Sequence, residues 1–335
     1  MHPFTPLMLA ELAPELGITL EFEPDYRFAG ELIFPNGRRH LFHNANFNLN
    51  GAAARQIADD KAYTAHFLRK HGFAVPHHRT FFSDTLNAKL PAARQRPLAG
   101  APAYAAELGY PVFVKPNDLS QGAFVTKLHQ SAPLLELAQQ IFAHTDVMLV
   151  EQAVPGRDYR VVVLDGQIMA AYERVPLSVQ GDGVSDIATL LARLWQTLRA
   201  QGRMNASLDA HDGRIDGKLQ QQGWSRASIL PPGQRVALLD NANLSTGGSA
   251  LDISDTVHAG FAELARQACT TLGLVLAGVD FIAADLCQPP GEQSWHILEL
   301  NAAPGLENFA AQGPVQLARV RLLYRKVLQL LAQRA

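Results

Sequence analysis

Asp280, Glu299 and Asn301 carry the most pointed oxygen chemistry in the sequence. Asp280 lies early in the apolar run from Val279 to Ala284, and Glu299 and Asn301 fall two residues apart in and just after a second run that begins at Trp295. A strand turns alternate side chains to one face, so Glu299 and Asn301 point together, and a hairpin sets them beside Asp280. Oxygen ligands on adjacent antiparallel strands suit Mg²⁺ carrying nucleotide phosphates. Taken alone, they suit equally well a hairpin whose acids solvate an outer face.

Other charged groups stand upstream. Lys115 ends the short strand Val112 to Val114 just before Pro116, and faces a small-residue loop containing Gly122; a lysine at a strand end beside such a loop is a common phosphate arrangement, although one glycine is a thin signal. Asp158 and Arg160 share one strand face, and Arg174 ends the partner strand beyond the Asp165-Gly166 turn. The polar loop holding Asn243, Ser245 and Gly247 can offer backbone N–H groups to an anion or substrate. Lys61, in a helical pattern after Asp59-Asp60, reads by itself as a solvated helix lysine. Arg157 and Arg203 read as solvated arginines, and His211 as a surface histidine.

These residues need elements to hold them. The pattern predicts a helix over 6–16, a strand, and a hairpin turning at Pro35-Asn36-Gly37. One helix is expected from Gly51 to His71, stopped by Gly72, then a Pro- and Ala-rich linker over 84–103. Beyond it come the Val112 strand, a helix over 134–144, the strand ending at Glu151, the hairpin over 158–174, helices over 187–201, 257–273 and 317–331, and the hairpin that carries Asp280 and Glu299.

Composition narrows the classes. A chain of 335 residues with 47% hydrophobic content can bury a large core in two or three packed parts. Lys and Arg number 29 against 31 Asp and Glu, so bulk charge gives no reason to expect nucleic acid or a membrane as partner. Cys269 and Cys287 are the two cysteines, which excludes a disulfide framework or a paired-thiolate zinc site and fits a reducing cytoplasm. The N-terminus reads as lacking a targeting segment.

Several segments occur in a fixed order: Ala58-Asp59-Asp60-Lys61, Val114-Lys115-Pro116, Val150-Glu151 with Pro155 to Arg160, Ala242 to Gly248, Gly278-Val279-Asp280 and Glu299 to Gly305. Together they resemble the ATP-grasp fold, specifically the ATP-grasp module of cyanophycin synthetase and of bifunctional glutathione synthetases, over roughly residues 51–310. The resemblance implies an α+β fold whose two α/β subdomains clasp ATP, behind a short N-terminal hairpin and helix. The implied parts are residues 1–50, a helical part and linker over 51–105, and ATP-grasp subdomains over 106–172 and 173–330.

Residue roles are implied in the same way. Lys61 and Lys115 meet the ATP phosphates, Lys115 also lying near the adenine, and Gly122 sits in the loop that covers the phosphates. Glu151, Gln152, Ala153 and Val154 form the hinge that reads the adenine edge, and Asp158 holds the ribose hydroxyls. Arg174 is the cation near the γ-phosphate, with Arg160 beside it. Asp280, Glu299 and Asn301 hold Mg²⁺, as two ions, and Asn243, Ser245 and Gly247 border the acyl-phosphate site. The implied activity is an ADP-forming ligase that joins a small carboxylate to an amine; a small-molecule kinase and a silent nucleotide-binding partner are the alternatives. Family habit adds a homodimer, and the lack of the further domains of cyanophycin synthetase argues against polymer synthesis. Two departures stand out: the phosphate loop is poor in glycine, and Leu238-Leu239-Asp240 stands where relatives carry an arginine, a charge that Arg235, Arg226 or Arg203 would have to replace.

Overall fold

The computed structural model describes residues 3–119, 122–200 and 212–334. Helix α1 (Phe4–Leu12) leads into an antiparallel meander of β1 (Thr19–Phe22), β2 (Ala29–Ile33) and β3 (Arg39–His43). The expected helix over 6–16 is therefore shorter, because Pro14 lacks the N–H that an α-helix needs and only a 3-10 turn continues to Leu16. Helices α2 (Ala52–Asp59) and α3 (Lys61–Lys70) replace the single helix expected over 51–71. The break is at Asp60, whose backbone is extended and whose carboxylate accepts from Tyr63 N at 2.8 Å as an N-cap.

The first of two main sheets is built from β4 (His78–Phe82), β5 (Val112–Pro116), β6 (Thr126–Leu128) and β7 (Val147–Gln152), in the order β4-β7-β5-β6 and antiparallel throughout. Helices α4 (Asp84–Asn87), α5 (Ala101–Leu108) and α6 (Leu134–Phe142) accompany it. Val112, Val114, Met148 and Val150 turn to one face and pack on α5 and α6. By alternation Lys115 and Glu151 belong to the other face.

The second sheet holds β8 (Arg157–Leu164), β9 (Gln167–Val175), β12 (Ser249–Asp252), β13 (Leu276–Ala283) and β14 (Trp295–Asn301), in the order β12-β9-β8-β13-β14. The β8–β9 turn has positive φ at both Asp165 and Gly166, the geometry that joins right-twisted strands tightly. Between β9 and β12 lie β10 (Ser178–Gln180), α7 (Ile187–Ala200), α8 (Gly213–Gln221) and β11 (Arg235–Ala237), which share a small core of their own. Helix α9 (Ala259–Leu272) precedes β13, and α10 (Glu307–Ala310) and α11 (Pro314–Arg334) close the chain. No helix among the described residues is long and apolar enough to cross a membrane.

This second sheet is covered on both faces. Tyr159, Val161, Val279 and Phe281 face α9 and α3, while Val162, Leu164, Ala170 and Tyr172 face α11 and the N-terminal meander. Alternation then carries Asp158, Arg160, Arg174 and Asp280 onto the α11 side, where the apolar face gives way to charge. A bulge after Asp280 adjusts the last strand: Asp280 pairs with Glu299 but Phe281 pairs with Ile297, which leaves Leu298 as the extra residue. Ile297 and Leu300 can both enter the α9 core because of it. Glu299 and Asn301 are turned to the face of Asp280.

Candidate active site

Asp280 is fully buried, and its carboxylate is the centre of an ion-pair chain. Arg160 stands opposite it on β8 and donates from Nε to Oδ1 and from Nη2 to Oδ2, both at 2.7 Å. Arg174 Nη2 lies 2.9 Å from Asp280 Oδ2 and donates to Asp158 Oδ1 at 2.6 Å, with Nε reaching the same oxygen at 2.8 Å. Such forked pairing fixes both guanidinium planes. Burial beside Asp280 pushes the Asp158 carboxyl upward, against the pull of Arg174. Asp158 Oδ2 accepts from no side chain or backbone among the described residues.

Glu299 and Asn301 complete the cluster from β14. The Asn301 amide Nδ2 lies 3.4 Å from Asp280 Oδ2 and 3.3 Å from Glu299 Oε1. Burial works to raise the Glu299 carboxyl, but Lys61, Lys115, Arg160 and Arg174 together hold it down at about 2. The nearest of them, Lys61 Nζ, is 3.9 Å from Glu299 Oε2, which is wider than a hydrogen bond. Glu299 is thus an ionised carboxylate with lone pairs to spare.

Lys61 enters the site because the α2–α3 break makes it the first residue of α3. Its Nζ donates to the Leu119 carbonyl at 2.7 Å and the Asn117 carbonyl at 3.3 Å, and burial pulls its ammonium below the ordinary lysine range. Lys115 is buried on the first sheet and paired with Glu151 at 2.6 Å, so this part of the hinge offers its backbone while its side chain is spoken for. Gln152 N donates to the His77 carbonyl at 2.8 Å, and Ala153 and Val154 follow in the irregular link into β8.

The two loops also meet. Gly122 has φ +71°, and a Cβ built on it would stand 2.3 Å from the Asn243 amide and 2.8 Å from that of Asn241. Asn243 opens a 3-10 turn, Leu244–Thr246, that contains Ser245 and ends at Gly247 with φ +88°. Thr246 Oγ1 donates to Asn243 O at 2.9 Å and holds the turn closed. Of the arginines weighed as replacements near Leu239, Arg226 is engaged by Asp216 at 2.6 Å and Arg235 is exposed on β11. Asp240 pairs instead with Lys218 of α8. Arg203 and His211 lie outside the described residues.

Two side chains that position this site carried no sequence signal. Asn117, 3% exposed, accepts from Ala62 N at 3.0 Å through Oδ1 and so ties the start of α3 to the end of β5. Asn50 donates to the Leu276 and Ala302 carbonyls at 2.8 and 2.7 Å and accepts from Val275 N at 2.7 Å, bracing the two strands that bear Asp280 and Glu299. The nearest available hint was their setting, each adjoining a strand or helix boundary.

Two carboxylates and an amide are the right donor set for a hard cation, whereas no group of three His, Cys, Asp or Glu side chains that could hold a metal occurs among the described residues. Asp280 Oδ2 is crowded by Arg160, Arg174 and the Asn301 amide, but Oδ1 accepts from Arg160 alone, and Glu299 Oε2 and the Asn301 carbonyl accept no hydrogen bond among the described residues. The residues fit Mg²⁺.

Residues 68–207 match the family described as D-ala D-ala ligase C-terminus. The chain is 31% identical over 271 residues to the cyanophycin synthetase of Synechocystis sp., a stretch covering 78% of this chain and 29% of that protein. It is 33% identical over 224 residues to the glutathione biosynthesis bifunctional protein of Streptococcus thermophilus, covering 63% of this chain and 29% of the relative. The chain therefore spans under a third of the length of these curated relatives. Among solved structures, a bifunctional glutathione synthetase from Pasteurella multocida aligns with a TM-score of 0.61 at 24% identity, over 97% of this chain and 44% of that one.

Proposed function

We propose that this chain, which matches the D-ala D-ala ligase C-terminus family over residues 68–207, is an ATP-grasp, ATP- and Mg²⁺-dependent ligase that forms an amide between a small carboxylate and an amine or amino acid. The observation that carries the reading is one cluster: Arg160, Arg174 and Lys61 arranged around Asp280, Glu299 and Asn301, with no nucleophilic side chain in it. Phosphoryl transfer asks a protein for positioning and charge neutralisation, and that is what such a cluster supplies.

In this reading the substrate carboxylate attacks the γ-phosphorus and ADP leaves. The amine nitrogen then attacks the acyl carbon, loses a proton, and phosphate departs. Lys61 and Lys115 neutralise phosphate charge, Arg174 meets the γ-phosphate, and Arg160 keeps Asp280 oriented. Asp280, Glu299 and Asn301 would hold Mg²⁺, which as a bound cation offsets charge on the transferring phosphoryl group. The backbone from Glu151 to Val154 reads the adenine, and Asp158 Oδ2 is left for the ribose. Gly122, Asn243, Ser245 and Gly247 close over the acyl phosphate.

A matrix of amino acids and small acids with Mg·ATP tests it, scored by released phosphate and product mass. Phosphate release that needs both an acid and an amine is expected. AMP and pyrophosphate would contradict the reading, a stable phosphorylated product indifferent to hydroxylamine would replace it with a kinase, and tight Mg·ATP binding without product would leave a nucleotide-binding partner.

A further inference from the structure

We propose that the groove between α3 and the outer edge of β4 binds an extended peptide with acidic side chains, which adds to the sheet as a further strand. The groove holds about 700 Å³ and is lined by Arg69, Arg79 and Arg96 together with His66, His78 and Tyr63, with no carboxylate among its lining residues. Arg69 Nη2 donates to the Pro76 carbonyl at 3.3 Å, and the Arg79 guanidinium lies 4.1 Å over the Tyr104 ring. None of the three arginines pairs with a carboxylate among the described residues. Elsewhere Arg214, Arg226, Arg319 and Arg321 pair with carboxylates, while exposed Arg38, Arg94 and Arg235 pair with none among the described residues; what sets the groove apart is that three unpaired arginines line it together. Three guanidinium groups without counter-ions in one groove call for an anionic ligand.

The backbone says which kind. Strand β4 is outermost in its sheet. The carbonyl of His77, just before the strand, accepts from Gln152 on the β7 side, whereas Phe82 N donates to the Arg96 carbonyl on the outer side. Alternation turns the N–H and C=O groups of His78 and Thr80 to that outer side as well, and no strand among the described residues meets them there. Arg96 and Pro97 occupy only the last position of this edge, through the bridge Phe82↔Pro97. An extended peptide satisfies both demands at once: its main chain continues the ladder along Thr80 and His78, and its acidic side chains meet the arginines. A free phosphate answers the arginines and leaves the edge unpaired. The groove lies outside the Asp280 cluster, so the inference stands apart from the ligase reading.

Fluorescence anisotropy with a fluorescein-labelled Glu-Val-Glu-Val-Glu-Val peptide tests it on the full chain. Saturable binding is expected, weakened about tenfold or more in an R69E/R96E double variant, whose two sites are exposed and whose melting temperature should not move. N-methylation of alternate peptide amides should weaken binding as strongly, and the Lys-for-Glu peptide should not bind. The proposal is overturned by no binding of the parent peptide, or by an N-methylated peptide that binds as well as the parent. It is also overturned if inorganic polyphosphate binds with the same sensitivity to R69E/R96E while the peptide does not.

Discussion

At the scale of residues, the cluster separates charges that hold the fold from charges left open for chemistry. Asp280 is fully buried against two guanidinium groups, so Asp280→Ala strands Arg160, leaves Arg174 with Asp158 alone, and should cost several kcal/mol, about 3–5. A fall in melting temperature would accompany any loss of activity there. Glu299 and Asn301 are different, being partly exposed and loosely contacted. Glu299→Gln and Asn301→Ala should lower kcat by about 10²-fold or more, with urea unfolding of Asn301→Ala staying near wild type; near-normal turnover in either removes the metal role. The depressed Glu299 carboxyl also sets a pH dependence. Its folded value of about 2 lies below its ordinary value, so its ionised form stabilises the fold fully above about pH 4.5, and this contribution fades as pH falls toward 2. The stability difference between wild type and Glu299→Gln should therefore narrow between about pH 5 and pH 3, and a widening would show the sign to be wrong. Residue types and two-residue spacing made Glu299 and Asn301 legible in the sequence. The partners of Asp280 were not, because Arg160 and Arg174 reach it across strands, and only register shows that.

At the scale of elements, two small interruptions bring the site together. The Asp60 cap starts α3 at Lys61, and the bulge at Leu298 turns Glu299 and Asn301 to the face of Asp280. Neither was readable from hydrophobic pattern: the apolar positions of α2 and α3 run on in one helical period, and a bulge leaves no mark in composition. Asp60→Ala should cost about 1 kcal/mol and, by loosening the first turn of α3, raise the KM for ATP; an unchanged KM would mean that Lys61 does not depend on the cap. Asn50→Ala should cost about 1–3 kcal/mol, since the Leu276 and Ala302 carbonyls and the Val275 N–H lose their common partner. Denaturant unfolding measures both. The hairpins at Asn36-Gly37 and Asp165-Gly166 were legible, because these dipeptides tolerate the positive φ that tight turns demand.

At the scale of the whole molecule, two antiparallel sheets carry separate parts of the proposed site: Lys115 and Glu151 on the first, and the Asp280 cluster on the second. Lys61 on α3 and the Gly122 loop, which touches Asn243, reach between them. The order of motifs along the chain pointed to this arrangement, but what each loop would recognise could not be read, since the stretch between β9 and β12 matches no reader of a particular side chain. The central claim is that a carboxylate oxygen of one substrate attacks the γ-phosphorus. The most direct measurement uses an acid substrate labelled with ¹⁸O in its carboxylate, with amine and Mg·ATP, and the mass of the released phosphate. An acyl-phosphate route places one ¹⁸O in the phosphate for each amide formed. Unlabelled phosphate alongside amide would contradict the account.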